Sequence, residues 1–276
     1  IPSTGGACHA GIQEQLERSI HSPKTSRTQK QLPVCVDCHS AHTIRRTDGE
    51  GFKLAIMNDC GRCHEQIAKT YFETYHGKVN QLGYTKTAKC YDCHGAHDIL
   101  PVGDPRSHLN RANVVATCQK CHAGATRRFA GYLTHATHHD PAKYPWLFWT
   151  FWGMTGLLLG TFAVGGAHTL LWLPRALKIR REFGRHPSPS RHEMEYQRFS
   201  PLNRALHVAM IVSFISLAAT GMTLKFSYTS WASVLSHLLG GFETAGYLHR
   251  AAAVLMIAIF ITHLVDLAPR NRREHR

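Results

Sequence analysis

Residues 144–276 contain no cysteine, and all nine of the chain's cysteines lie in residues 1–143. Charge is also missing in long stretches. The 31 residues between Lys143 and Arg175 include no Asp, Glu, Lys or Arg, and neither do the 20 residues from Ala205 to Leu224. From about Thr244 to Val265 the only charged residue is Arg250. These gaps exclude a uniform soluble domain, because a buried globular helix rarely runs so long without charge. Acid is scarce too, with 18 Asp and Glu against 32 Lys and Arg, a net charge of +14. At 43% hydrophobic residues the chain is too apolar for disorder. A disulfide scaffold has no use for the 21 histidines, and a basic nucleic-acid binder has none for the cysteines.

The mean hydropathy of −0.23 therefore averages two unlike parts. Residues 1–143 carry 18 Lys and Arg against 12 Asp and Glu, and residues 144–276 carry 14 against 6. About 20 apolar residues span a bilayer. The three charge-poor runs accordingly predict membrane helices over about 146–173, 205–224 and 244–266. Basic residues orient them. Arg175, Lys178, Arg180, Arg181, Arg185, Arg191 and Arg198 lie in the connection 174–200, and Arg270, Arg272, Arg273 and Arg276 follow the third helix. The connection 226–243 has no Lys or Arg. The positive-inside rule places 174–200 and the tail in the cytoplasm, with 1–143 and 226–243 outside. No signal peptide is visible before the exported part, so processing or truncation at the N-terminus is expected.

Four segments read Cys-x-x-Cys-His: Cys35 to His39, Cys60 to His64, Cys90 to His94 and Cys118 to His122. This spacing is the attachment signal of c-type haem, in which two thioethers hold the porphyrin and the adjacent histidine reaches the iron. Structural zinc and dithiol redox motifs do not need the trailing His39, His64, His94 and His122. Adding 55 to Cys8, His9, His21, Cys35, Cys38, His39 and His42 lands on Cys63, His64, His76, Cys90, Cys93, His94 and His97, so the motifs sit in an internal repeat. A partial third unit starts at Cys118. The second histidine set, His21, His42, His76, His97 and one of His135, His138 or His139, supplies a sixth ligand to each iron. Which of these serves which motif is open. His108 falls outside the repeat, as a loop residue. Gly5 stands where the repeat has Cys60, leaving Cys8 and His9 as a half-motif. The reading is five c-type haems, the first held by one thioether on Cys8, or four if that one is lost. Two histidines per iron close it to substrate and suit electron transfer.

In the membrane part, His249 and His263 are 14 residues apart on the third helix. That is roughly 21 Å of rise, with both on one side of the helix. This suits one or two stacked b-type haems, with His207 level with His263 and with His168 as the weakest candidate. Ionisable residues in membrane helices are costly and point to function. Arg250 suits a haem propionate or a plain interfacial role, and Asp266 a proton-handling or an interfacial one. The outer site has only His249, so either helices follow Arg276 or a single b haem is bound.

The segment Arg198-Phe-Ser-Pro-Leu-Asn-Arg-Ala-Leu-His207 running to Met222, and Gly246-Tyr-Leu-His249-Arg250 with its apolar run, resemble the first two helices of the di-haem cytochrome b subunits of formate dehydrogenase, nickel-iron hydrogenase and thiosulfate reductase. Cys38-His39-Ser40-Ala41-His42 and Cys93-His94-Gly95-Ala96-His97 resemble units of multihaem c-type cytochromes, and His135 to Pro174 the junction helix of proteins fusing the two. The resemblance implies a mainly α chain: a loop-rich multihaem domain over 1–143 and a three-helix cytochrome b-like bundle over 144–276. It also implies a bacterial inner-membrane protein with its haem c domain in the periplasm. Such a protein oxidises menaquinol or another quinol and passes electrons to periplasmic c-type cytochromes or a terminal reductase, with the lipid bilayer as its setting and no nucleic-acid partner. The alternatives are an electron-relay subunit that binds no quinone and a multihaem reductase of nitrogen or sulfur compounds.

Overall fold

The computed structural model describes residues 2–132, 134–183 and 200–274. Among them every regular element is helical. The first nine are short: α1 Pro2–Gly6, α2 Ala10–Arg18, α3 Cys35–His39, α4 Glu50–Cys63, α5 Glu65–Glu73, α6 Tyr75–Gln81, α7 Cys90–His94, α8 Val114–Gln119 and α9 Arg127–Ala130. Then follow α10 Pro145–Phe183, α11 Pro201–Lys225, α12 Ser230–Leu238 and α13 Phe242–Glu274. The chain divides into two compact units, residues 1–136 with 216–251, and residues 137–215 with 252–276. The cut passes through α11 and α13, so the first unit takes the C-terminal part of α11 and the N-terminal part of α13, whereas the sequence pattern suggests a division at 143.

The first unit has little apolar core. Among the described residues of its N-terminal part, the buried apolar side chains are Ile56, Met57, Tyr71, Val79, Leu82 and Ala125. Polar tethers do much of the remaining positioning. Ser19 is fully buried, and its hydroxyl donates to the Ile99 carbonyl at 3.0 Å while Ile20 N–H donates to the same oxygen at 2.8 Å. Tyr71 donates its hydroxyl to the Ala88 carbonyl at 2.7 Å, and burial pushes that phenol well above its usual range. Lys89 is buried and donates to the carbonyls of Thr85 and Thr87 at 2.5 and 2.6 Å, and burial lowers its ammonium.

The corner between α5 and α6 shows how tightly this part is set. Thr74 caps α6, accepting from Gly77 N–H at 3.2 Å and donating to the Tyr71 carbonyl at 2.7 Å. A Cβ on Gly77 would lie 2.2 Å from the Tyr71 carbonyl oxygen and 2.6 Å from Phe72 Cα. Both obstacles are backbone, so the corner must open to admit a methyl group. Gly77→Ala should cost about 3 kcal/mol, the upper part of the range for overpacking, as a fall in thermal midpoint measured by calorimetry.

Three helices are long and apolar enough to cross a membrane: Pro145–Glu182, Pro201–Lys225 and Phe242–Asp266. Twenty-five residues of helix rise about 38 Å, more than the hydrocarbon thickness of about 30 Å. α10 runs well past the expected end near 173. Pro174 lies inside it, and the helix continues through Arg175, Lys178, Arg180 and Arg181. A proline removes one backbone bond, and the long straight-chain basic residues that follow favour helix. The basic connection 174–200 lies only partly within the described residues, which resume at Ser200. α12 is an element the sequence pattern had left inside a connection. Its apolar residues Trp231, Val234, Leu235 and Leu238 recur at helical spacing.

Candidate haem-binding centre

The motifs are built in two ways. α3 and α7 consist of the motif itself. In each, the aspartate of Cys-x-Asp-Cys-His caps the helix. Asp37 accepts from Val34 N–H at 2.7 Å, and Asp92 accepts from Lys89 N–H at 2.8 Å. The residue after the histidine is left-handed in both, Ser40 at φ 59° and Gly95 at φ 86°. The 55-residue repeat is therefore a repeat of backbone geometry. The other two motifs lie at the ends of longer helices: Cys60 and Cys63 are in the last turn of α4, and Cys118 is the last residue but one of α8, with Cys121 and His122 just beyond. One helical turn puts residues three apart on one side, so both sulfurs of such a motif face the same way. Cys8 is an exposed thiol with Gly5 in its partner position.

The thiols also show which motifs neighbour each other. Cys60 and Cys90 lie side by side, and their interaction draws the Cys60 thiol down and pushes that of Cys90 up. Burial, followed by the charge of Cys60, pushes the Cys38 thiol up to about 11. Cys93 is raised by burial, then by Asp92 and by the cysteines of the fourth motif, Cys118 and Cys121. The motifs therefore follow one another in space in chain order.

The histidines fall into cross-chain pairs. Ring centroids are 6.1 Å apart for His21 and His64, 6.0 Å for His39 and His97, 6.0 Å for His76 and His122, and 6.4 Å for His94 and His135. Each pair joins one motif histidine to one histidine from outside the motifs. A metal–imidazole bond of about 2.0 Å, plus about 1.1 Å from nitrogen to ring centre, puts two imidazoles on opposite sides of one iron about 6.2 Å apart. The donor set and its spacing fit haem iron held by two histidines. Burial lowers the imidazoles of His21, His76, His94 and His97, and so does the facing ring in each case. Neutral imidazole is the form that ligates.

Among the three C-terminal candidates the structure brings His135 to His94. Thr70 donates its hydroxyl to the Ile67 carbonyl at 2.9 Å, so its oxygen accepts from His135 Nδ1 at 3.1 Å. That assigns the proton to Nδ1 and the lone pair to Nε2, as in metal-bound histidines oriented by a hydrogen bond. His138 instead stacks on Phe151 at 3.8 Å and on His139 at 4.0 Å. His9 and His42 are exposed, and among the described residues neither faces another imidazole at the pair spacing. His108 braces the loop after the third motif, its Nε2 lying 3.2 Å from Asp98.

In the three long apolar helices, His249 is the histidine with a defined partner among the described residues. Thr220 on α11 donates to the Ser216 carbonyl at 2.7 Å, and its oxygen lies 2.8 Å from His249 Nδ1. The hydroxyl's one proton is committed, so Nδ1–H donates and Nε2 keeps its lone pair. Gly221, the next residue on α11, leaves room beside the imidazole: a Cβ there would lie 3.9 Å from His249 Cε1. Neither Thr220 nor Thr70 was legible as a histidine partner, because a lone threonine in a helix carries no spacing signal. His168, His207 and His263 are exposed on their helices, and the structure brings none of them to another histidine among the described residues. His249 and His263 lie on the single continuous helix α13. Arg250 is held locally, donating to the Gly246 carbonyl at 3.0 Å with its guanidinium over the Tyr247 ring at 4.8 Å. If His249 holds a haem b, Thr220→Val should lower its retention by 10- to 100-fold in affinity, the usual cost of losing a ligand's orienting partner, read from pyridine haemochrome spectra of the purified chain.

Compared with known proteins, the chain matches no protein-family model, no curated protein and no solved structure.

Proposed function

We propose that this chain is a membrane-anchored cytochrome that moves electrons between a quinol pool and acceptors outside the cytoplasmic membrane. The observation that carries this reading is the set of four histidine pairs. Each contains the histidine of one complete Cys-x-x-Cys-His motif, at the spacing two ligands of one iron require. Bound haem supplies reversible one-electron chemistry. The residues' own work is to hold it. Cys35 and Cys38, Cys60 and Cys63, Cys90 and Cys93, and Cys118 and Cys121 would tether the four groups, and the eight paired imidazoles would ligate their irons, two to each. A closed iron favours transfer over chemistry at the metal, which weighs against a nitrogen- or sulfur-compound reductase. The basic ends of α10 and α13 support a cytoplasmic location for those ends and a periplasmic one for residues 1–143. His249, with His207, His263 and, less strongly, His168, would serve haem b.

The haem count tests the ligand part of the reading. Mass spectrometry of the holo chain should show four covalent haems and electron paramagnetic resonance should show four low-spin ferric signals. A fifth haem on Cys8 would be high-spin, because among the described residues His9 has no imidazole opposite it. Fewer than four low-spin haems would count against the pairing. Mixing the chain, in lipid nanodiscs, with a reduced menaquinone analogue separates oxidation of quinol from a relay: reduction of the c haems supports the first, and its absence the second.

A further inference from the structure

The helix that carries His76 is also the part of the outer domain that meets the ends of the membrane helices. Within the first compact unit, α6 and the turn after it touch the end of α11, the loop beyond it and the start of α13. Tyr75 packs edge-on against Phe242 with ring centres 5.9 Å apart, and Tyr84 lies 5.4 Å from the same ring. Tyr84 donates its hydroxyl to Glu243 at 2.7 Å, and Ser227 donates to Gln81 at 2.8 Å. Tyr75 is the chain neighbour of His76. Phe242 lies seven residues before His249 on α13, a rise of about 10 Å.

We propose, resting on the electron-transfer reading above, that electrons from the membrane part enter the outer domain at the His76–His122 pair, and that Tyr75, Tyr84 and Phe242 seat this port on the membrane helices. Oxidation of one quinol to quinone releases two protons and two electrons. The electrons leave singly at the far end of the haem series, reducing two molecules of an oxidised one-electron protein carrier. The other three pairs lie downstream of the port.

The test uses the haem-loaded full chain in lipid nanodiscs. His76→Met and His97→Met each replace one distal imidazole with a thioether, which makes that site more oxidising and retains an electron there. Magnetic circular dichroism should show one thioether-ligated ferric haem in each variant. With a reduced menaquinone analogue, His76→Met should slow reduction of the remaining c haems at least tenfold, and His97→Met less than twofold. Equal slowing, or no slowing in His76→Met, overturns the assignment of the port. Phe242→Ala keeps every ligand and removes the aromatic seat. Amide hydrogen exchange across residues 75–84 should then rise at least tenfold, and unchanged exchange overturns the seating. Wild-type chain that the quinol leaves oxidised counts against quinol oxidation alone, and the exchange experiment still decides the seating.

Discussion

His135→Ala should convert one of the four low-spin ferric signals to high-spin, whereas His138→Ala and His139→Ala should leave all four unchanged. The three histidines lie within five residues of each other, so sequence position cannot choose among them. The structure chooses on two grounds. His135 faces the motif histidine His94 at 6.4 Å, close to the spacing of two ligands across one iron. Thr70 then directs its Nδ1 proton, which leaves Nε2 as the coordinating atom. His138 is occupied by Phe151 and His139. Loss of one imidazole leaves an open axial position, and the spin state reports it directly. The same logic extends along the chain. His21→Ala and His64→Ala should abolish the same signal, although 43 residues separate them and His21 lies closer in sequence to Cys35. If His21→Ala instead altered the haem on Cys35 and Cys38, the pairing would be wrong.

The candidate attachment motifs were legible in the sequence, and the way the structure combines their histidines with others was not. A c-type haem demands two cysteines and a histidine at fixed spacing, so Cys35, Cys38 and His39 announce themselves, as do their counterparts. The three long helices were legible because a bilayer tolerates no charge, and the helices that cover those runs extend beyond them only where polar ends leave the apolar stretch. Pairing of His39 with His97, or of His76 with His122, depends on how short helices stack, and no local pattern encodes that. The 55-residue repeat shows that the two halves share backbone geometry, down to the capping Asp37 and Asp92 and the left-handed Ser40 and Gly95. It does not show that ligands cross between units. The repeat also suggested His42 as a ligand by analogy with His97, yet His42 is exposed and faces no imidazole among the described residues. α12 was hidden because the connection was read for charge rather than for its helical apolar spacing.

Chain produced without haem attachment should lose the outer fold altogether while keeping its membrane helices. In hydrogen exchange, residues 4–132 should then exchange at close to the unprotected rate, and α10, α11 and α13 should stay protected in lipid. Ordering each backbone residue costs about 1–2 kcal/mol, and buried apolar surface is the main force that offsets it. Here that surface is confined to Ile56, Met57, Tyr71, Val79, Leu82 and Ala125. The helices around them are short, from α9 at four residues to α4 at fourteen, and isolated helices below about 12–15 residues are marginal in water. The paired imidazoles lie on different helices and loops, so each iron would cross-link two segments that are distant in sequence and would bring a large apolar ring between them. His21 would be tied to α4, the loop of His97 to α3, α6 to the end of α8, and the loop of His135 to α7. Removing those ties frees every short helix at once. The membrane helices draw on a different source of stability, since their backbone groups bond internally and their apolar surfaces face lipid. Outer helices that stay protected without haem would show that residues 4–132 hold a self-sufficient core, and would remove the structural role assigned to the histidine pairs.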